Sequence, residues 1–192
     1  MQRGDIAPDF ELSDQSGAPV RLSSLLTQGP VVLYFYPKAM TPGCTAESCH
    51  FRDMASEFAA AGAGRVGISA DAVDRQATFA DRHGLDFPLL SDPDRAVARS
   101  YGVKRPGPLF SKRTTFVIGQ DGRILDVISS EINMRVHADR SLAALGPAQA
   151  ARAEVGGADA AVETEAPAQT GASAEDSPAV RSPRRRRTAS GR

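Results

Sequence analysis

The sequence predicts an α/β fold in which a central mixed β-sheet carries helices on both faces and an N-terminal β-hairpin is added. Strand-like and helix-like segments alternate along the first three-quarters of the chain. The segment Gly29–Tyr36 is almost continuously apolar, which is typical of a strand buried on both faces beside parallel neighbours. Later, two strand-like segments flank Gly119–Gly122, which is a strong hairpin signal. Together these observations favour a mixed sheet over a purely parallel one.

The N-terminal region predicts a hairpin. Phe10–Ser13 and Val20–Leu22 alternate apolar and polar residues, and they flank Asp14–Gly17, whose residue types favour a turn. Ser23–Leu26 follows as a short helical turn. The hairpin therefore precedes the alternating part of the fold.

A buried strand then leads into an amphipathic helix. The strand Gly29–Tyr36 ends at Pro37, and a loop separates it from the next periodic segment. From Cys44 to about Ala61, apolar side chains such as Phe51 and Phe58 recur at spacings that place them on one helical face. We therefore predict a strand, a loop and a helix beginning at Cys44.

The remaining elements repeat the alternation of strand and helix. The predicted strands are Arg65–Ala70, Phe87–Leu90, Thr114–Ile118 and Arg123–Ile128, and the predicted helices are Val73–His83, Asp94–Tyr101 and Val136–Leu145. This order places helices on both faces of one sheet.

The composition divides the chain into a folded domain, residues 1–146, and a tail, residues 147–192. The tail contains no Phe, Tyr, Leu, Ile or Met, so it buries too little apolar area to offset its chain entropy. We therefore predict a disordered low-complexity tail. Its run Arg184–Arg187 can bind nucleic acid or anionic lipid, and a solvated end is the interpretation that we favour.

Charge and hydropathy argue against several classes of partner. The chain carries 23 basic and 23 acidic side chains, so we expect no nucleic-acid partner for the folded domain. The N-terminal segment is polar, and no apolar stretch reaches the length of a membrane span. We therefore expect a cytoplasmic protein without a membrane partner. In that reducing compartment, two cysteines favour a catalytic role over a structural disulfide.

The two cysteines, Cys44 and Cys49, lie close together after the buried strand. Cys44 lies at the predicted helix start, where unpaired N–H groups and the helix dipole favour a thiolate. The alternative is a pair of buried structural cysteines. The adjacent His50 does not complete the paired spacing of a zinc site, so we expect no metal and no other cofactor.

Other polar residues have simpler interpretations. His50, His83 and His137 are interpreted as ordinary surface or helix residues. Glu47 is most simply a favourable acidic residue in the first helical turn, although it can also support the preceding loop.

The loop Phe35–Thr45 resembles the active-site loop of the peroxiredoxin family, in which a Pro, a Thr and a Cys are spaced as Pro37, Thr41 and Cys44 are. The second cysteine, Cys49, points to the atypical two-cysteine, or Q-type, subgroup that includes bacterioferritin comigratory protein. The resemblance extends from about Gly4 to Leu145 and is supported by Gly4–Phe10, Gly67–Asp71, Leu89–Asp92 and Arg113–Ile118. It implies a thioredoxin-like fold.

The resemblance also implies an activity and a set of site residues. It implies a thioredoxin-dependent peroxidase that reduces hydrogen peroxide and organic hydroperoxides through Cys44, with Cys49 as the resolving thiol. In the family, Thr41 holds the peroxide and Pro37 shields the thiolate from water. The resemblance nominates Arg113 as the cation beside the thiolate, whereas spacing alone does not distinguish it from Lys112 or Arg105. We expect a monomer regenerated by a thioredoxin-like donor.

Helix geometry adds a condition to this mechanism. Five residues of α-helix rise roughly 7.5 Å, whereas a disulfide needs Cα atoms about 4.4 to 6.8 Å apart. A bond between Cys44 and Cys49 therefore requires the helix to unwind.

Three alternative functions remain open at this point. One is a redox-sensing or partner-binding protein, and another is a one-cysteine peroxidase that uses an external thiol. The third, disulfide exchange without peroxide chemistry, normally uses a Cys-x-x-Cys motif, which the sequence lacks.

Overall fold

The computed structural model describes residues 1–107 and 109–156, which contain a seven-stranded sheet with helices on both faces. The strands are β1 (Glu11–Ser13), β2 (Pro19–Arg21), β3 (Val31–Phe35), β4 (Gly64–Ser69), β5 (Leu89–Ser91), β6 (Thr114–Ile118) and β7 (Ile124–Ser129). The helices are α1 (Leu22–Leu26), α2 (Pro42–Asp53), α3 (Ala55–Ala60), α4 (Val73–His83), α5 (Ala96–Ser100) and α6 (Arg135–Gly156).

The sheet is mixed, as predicted. Its strand order is β2-β1-β5-β4-β3-β6-β7. The central strand β3 pairs in parallel with β4 and antiparallel with β6, and β4 pairs in parallel with β5. The N-terminal hairpin joins the sheet through an antiparallel contact of β1 with β5. The predicted α/β architecture and the added hairpin are therefore confirmed.

The central strand divides the core into two apolar layers. Val31, Leu33 and Phe35 belong to the layer that also contains residues of α1 and α5. Val32 and Tyr34 belong to the opposite layer, which contains residues of α2, α3, α4 and α6. Because strand side chains alternate between faces, a fully buried strand such as β3 supplies both layers at once.

The predicted long helix is two helices. A helix was expected from Cys44 to about Ala61, whereas α2 begins at Pro42 and ends at Asp53, and α3 follows after Met54. Arg65 donates a 2.7 Å hydrogen bond to the carbonyl oxygen of Phe51, the acceptor that a continuous helix would offer to residue 55. Cys44 is therefore the third residue of its helix and not the first.

Other element bounds also differ, most of them by one or two residues, and two of the differences, in β5 and α6, have a physical cause in the sequence. Strand β5 begins after Pro88, because proline has no N–H for the sheet ladder. Helix α6 continues to Gly156, although its predicted end was Leu145, and the alanine-rich sequence there favours a helix. The remainder of the predicted tail, 157–192, lies outside the described residues. Among the helices that the structure describes, none has both the length and the apolar character needed to cross a membrane.

Gly67 in β4 leaves room for Tyr34, the β3 side chain whose hydroxyl contacts α2. The phenol of Tyr34 lies directly beside Gly67, and its hydroxyl is 2.9 Å from the hydroxyl of Ser48 on α2. A Cβ atom at residue 67 would lie 2.7 Å from the Tyr34 ring and 2.9 Å from Leu89. A larger residue would therefore displace the tyrosine that contacts the helix.

We predict that Gly67→Ala destabilises the fold by about 1 to 3 kcal/mol, because the added methyl group overpacks this part of the core. Chemical denaturation measures the change. Gly146→Ala is the matched control, since a Cβ atom there meets nothing within 4 Å and alanine favours a helix. Equal stability of Gly67→Ala and wild type would contradict the packing account.

Candidate active site

The start of α2 places Cys44 at a helix N-terminus. Thr41 is the extended residue before the helix, and Pro42 occupies the first turn, where its missing N–H costs no helical hydrogen bond. The hydroxyl of Thr41 donates to the carbonyl oxygen of Lys38 at 3.0 Å. The first N–H groups of α2 point towards the end of the helix at which the thiol lies, an arrangement that favours an anion.

A buried guanidinium lies against the thiol. Cys44 is fully buried, and Nη2 of Arg113 lies 3.4 Å from its sulfur. Arg113 directly precedes β6 and is only 6% exposed. Gly43 packs against the guanidinium, since a Cβ atom there would lie 3.4 Å from the same nitrogen, an ordinary contact distance. The structure therefore places a permanent positive charge at the sulfur.

The structure shows which of the three candidate cations, Arg105, Lys112 and Arg113, lies beside the thiol. Arg113 contacts Cys44, whereas Arg105 forms an ion pair with Glu131. Lys112 lines a cleft of about 180 Å³ beside Arg113. The arginine nominated by the resemblance is thus the one that meets the thiol.

Glu47 also binds Arg113, which the sequence did not predict. Its carboxyl group is completely buried and pairs with Nη1 of the guanidinium. Burial raises the pKa of Glu47 to about 8, and the charge of Arg113 offsets only part of that rise. Glu47 shares this guanidinium with Cys44. Glu47 is therefore part of the site and not an ordinary first-turn acid.

His137 is a second correction, since it is neither a surface residue nor an ordinary helix residue. It lies on α6 with an exposure of 0%, and its ring nitrogens contact the Thr115 hydroxyl at 2.8 Å and the Ser130 carbonyl oxygen at 3.0 Å. Its Nδ1 atom also lies 3.7 Å from Oε1 of Glu47. Sequence periodicity gave no signal for this contact, because the two residues are far apart in the chain.

Cys49 lies on the same continuous helix as Cys44 and is partly buried. Both cysteines are free thiols. The helix therefore holds them at the separation that excludes a disulfide. The neighbouring His50 contacts Asp139 of α6 at 2.8 Å, so this part of α2 is tied to another helix.

The loop before α2 is fixed by polar contacts. Pro37 is partly buried just after β3, and the N–H of Ala39 donates to Asp71 at 2.7 Å. Met40 has φ +67°, a left-handed conformation that is unfavourable for a residue other than glycine. The loop is therefore held in one strained conformation beside the thiol.

This arrangement is suited to nucleophilic chemistry at sulfur. A thiol at a helix N-terminus and beside a guanidinium is favoured as a thiolate, and the same donors can stabilise an oxygen anion. Across the residues that the structure describes, no three His, Cys, Asp or Glu side chains form a group that could hold a metal ion.

Comparison with known proteins agrees with this chemistry. The AhpC/TSA family matches residues 3–127. A putative peroxiredoxin of Mycobacterium tuberculosis is 60% identical over 148 residues, which are 76% of this chain and 96% of that protein. Peroxiredoxin Bcp of Escherichia coli K12 is 42% identical over 130 residues, which are 65% of this chain and 83% of that protein.

Solved structures give the same assignment. The crystal structure of peroxidoxin BcpB from Mycobacterium tuberculosis matches with a TM-score of 0.74 and 59% identity, covering 76% of this chain and 96% of that one. The bacterioferritin comigratory protein of Xanthomonas campestris matches with a TM-score of 0.67 and 33% identity, covering 72% of this chain and 91% of that one. The thioredoxin-like fold is thereby confirmed. The chain belongs to the AhpC/TSA family and is a peroxiredoxin of the Bcp and Q type.

Proposed function

We propose that this peroxiredoxin reduces hydrogen peroxide and organic hydroperoxides through the thiolate of Cys44. The observation that carries the proposal is the contact of Arg113 with the Cys44 sulfur at the N-terminus of α2. The Xanthomonas campestris relative, whose structures concern alkyl peroxide reduction, supports the choice of substrate class.

In the first step, a lone pair of the Cys44 thiolate attacks one peroxide oxygen and the O–O bond breaks. The second oxygen leaves with the proton of the attacked oxygen, as water or an alcohol, and the sulfenate that remains takes up a proton from solvent to become a sulfenic acid. Negative charge thus moves from sulfur to oxygen. Arg113 and the N-terminal N–H groups of α2 are positioned to stabilise it in both places.

Thr41 and Pro37 shape the space around this reaction. The hydroxyl proton of Thr41 is committed to the Lys38 carbonyl, which leaves the hydroxyl oxygen able to accept a hydrogen bond from a peroxide. Pro37 lies in the loop between β3 and α2, and we assign to it the shielding of the Cys44 thiolate from water. Cys44 is fully buried, so we propose that peroxide entry involves a movement of this loop.

In the second step, the Cys49 thiol attacks the sulfur of the Cys44 sulfenic acid, and water leaves as the disulfide forms. The pair can meet only after the middle of α2 opens. Opening breaks the Glu47–Arg113 pair and the contact between Ser48 and Tyr34. Oxidation of Cys44 is therefore proposed to change the shape of the surface around α2.

A dithiol donor of the thioredoxin type completes the cycle by reducing the disulfide to two thiols. Thioredoxin-like dithiols are the reductants of the peroxiredoxin family. A cytoplasmic location, a monomeric state, and the absence of nucleic-acid and membrane partners remain predictions from the sequence. The predicted tail was residues 147–192; its first ten residues belong to α6, and the disorder of residues 157–192 is likewise a prediction.

The cysteine roles predict distinct kinetic defects. Cys44→Ser should abolish peroxide consumption, because it removes the thiol that lies at the N-terminus of α2 beside Arg113. Cys49→Ser should consume about one equivalent of peroxide and then stop with a thioredoxin system, because the sulfenic acid is not resolved. Peroxide consumption measures both variants.

Each alternative function has its own result in this assay. Full activity of Cys44→Ser would exclude the proposed mechanism. Unchanged turnover of Cys49→Ser would indicate a one-cysteine peroxidase that uses an external thiol. A single turnover in wild type, with a change in partner binding, would favour a redox sensor.

Oxidation is predicted to unfold part of α2. Amide hydrogen exchange should become faster across residues 44–51 after peroxide treatment, because the disulfide cannot form on the intact helix. Helix α4 serves as an internal control whose protection should not change. Equal protection of residues 44–51 in the oxidised and reduced protein would contradict this step.

The role of Arg113 predicts a large catalytic effect. Arg113→Gln should lower the rate constant for peroxide reduction by about 100-fold, the usual effect of removing a charge-stabilising donor. Arg105→Gln is the matched control, since Arg105 pairs with Glu131 and not with Cys44. Equal losses in the two variants would exclude a specific role for Arg113.

A further inference from the structure

The chain turns at residues 38–41, directly before the helix that carries the thiol. The Thr41 hydroxyl donates to the Lys38 carbonyl oxygen at 3.0 Å, so Ala39 and Met40 are the two central residues of the turn. Met40 has φ +67°, a conformation that is unfavourable for a residue with a side chain. Such a conformation persists only where the surrounding structure holds the chain in place. The turn therefore needs a restraint from another part of the fold.

Two side chains from one neighbouring segment provide this restraint at Ala39. The Ala39 N–H donates to Oδ2 of Asp71 at 2.7 Å, and the Ala39 carbonyl oxygen accepts from Nη2 of Arg75 at 3.3 Å. Asp71 and Arg75 also form an ion pair, in which Nε lies 3.0 Å from Oδ1. The pair thus holds both backbone polar groups of the residue that precedes the strained Met40.

Asp71 is itself fixed to the sheet. Its side chain is only 8% exposed, and its Oδ2 atom also accepts from the Ser69 hydroxyl at 2.8 Å. Ser69 is the last residue of β4, and its hydroxyl accepts from the Gln76 amide at 3.0 Å. The Ser91 hydroxyl of β5 donates to the backbone carbonyl oxygen of Asp71 at 2.8 Å. The position of Asp71 is therefore set by two strands, and the turn takes its position from Asp71.

The turn determines where the Thr41 hydroxyl lies, and the proposed role of that hydroxyl is to bind the peroxide. The charge beside the sulfur has a different origin, because it comes from Arg113 and from the N-terminus of α2. A change in the turn would therefore displace the group that orients the peroxide and leave the stabilisation of the Cys44 thiolate in place.

We propose that Asp71 and Arg75 are positioning residues for peroxide reduction. They hold residue 39 so that the strained turn keeps the Thr41 hydroxyl in place to orient the peroxide. This proposal rests on the proposed role of Cys44 as the nucleophile. It assigns to the two side chains an effect that passes through the backbone of the turn.

Two rate constants of Cys44 test the proposal in the full chain carrying Cys49→Ser. Asp71→Ala should lower the rate constant for hydrogen peroxide by about 10-fold, because the peroxide is no longer oriented. The rate constant for alkylation by iodoacetamide should not fall, since that reaction needs the thiolate but not the Thr41 hydroxyl. An equal loss in both reactions, or an unchanged rate constant for peroxide, would overturn the proposal.

Asp92→Ala is the matched control for the loss of a buried carboxylate. Asp92 is 2% exposed and accepts from the N–H groups of Val97 and Ala98 in α5. This variant should leave the ratio of the two rate constants unchanged. A fall in the ratio equal to that of Asp71→Ala would show that a general loosening of the fold slows peroxide reduction, and would overturn the proposal.

The conservative variant Asp71→Asn tests the hydrogen bond to the turn. Its amide oxygen can still accept from the Ala39 N–H, and Arg75, whose side chain is 46% exposed, can turn to solvent. The rate constant for hydrogen peroxide should therefore stay within about 3-fold of wild type. A loss as large as that of Asp71→Ala would overturn the assignment of the effect to this hydrogen bond.

Circular dichroism establishes whether Asp71→Ala folds, and if it does not, Arg75→Met decides. This variant removes the ion pair and the bond to the Ala39 carbonyl oxygen from a half-exposed side chain. It should lower the ratio of the two rate constants by about 3-fold, and an unchanged ratio would overturn the proposal. Peroxidase activity in Cys44→Ser would overturn the proposed function, whereas an unchanged ratio in an active enzyme would overturn only the role of the turn.

Discussion

The site depends on one buried guanidinium that two acidic groups share. Arg113 lies between the thiol of Cys44 and the carboxyl group of Glu47, and it reaches both because of the sheet register. Strand β6 runs antiparallel to β3 with Thr114 opposite Phe35, so residue 113 lies beside the point where the chain leaves β3. The loop from β3 returns at this point into α2. Backbone pairing therefore brings together residues that are distant in the sequence.

Helix α2 has two requirements that oppose each other. Its N-terminus must be ordered to stabilise an anion at Cys44, and its middle must open if Cys49 is to reach the same sulfur. The middle of the helix is held by three polar contacts, Glu47 with Arg113, Ser48 with Tyr34, and His50 with Asp139, and by the buried ring of Phe51, which stacks on Tyr34. The Ser48 and His50 contacts are single hydrogen-bonded pairs of modest strength, whereas the Glu47–Arg113 pair is buried and is the stronger restraint on opening. The chemistry of the first step can thus be coupled to the shape change of the second.

Much of the fold could be predicted because it is encoded locally. The continuous apolar run of β3 and the turn Gly119–Gly122 each determine their own element. The break between α2 and α3 could not be predicted, since it involves a hydrogen bond from Arg65 on a later strand. The extension of α6 to Gly156 was missed because the absence of large apolar residues was given more weight than the helix propensity of alanine.

The candidate site was predictable in part. The position of Cys44 near a helix start follows from the local sequence, whereas Arg113 was identified only through the family resemblance. Glu47 and His137 were missed because burial of a charged residue is visible only after the chain has folded. Both look like ordinary helix residues in the sequence, and only the approach of α6 to α2 creates their contact.

The intact mass of the protein after treatment with one equivalent of hydrogen peroxide tests the central claim most directly. The account predicts loss of two hydrogens, with Cys44 and Cys49 joined in one disulfide-linked peptide. An unchanged mass would contradict Cys44 as a peroxide-reactive thiolate. A stable gain of one oxygen on Cys44 would contradict resolution by Cys49 through opening of α2.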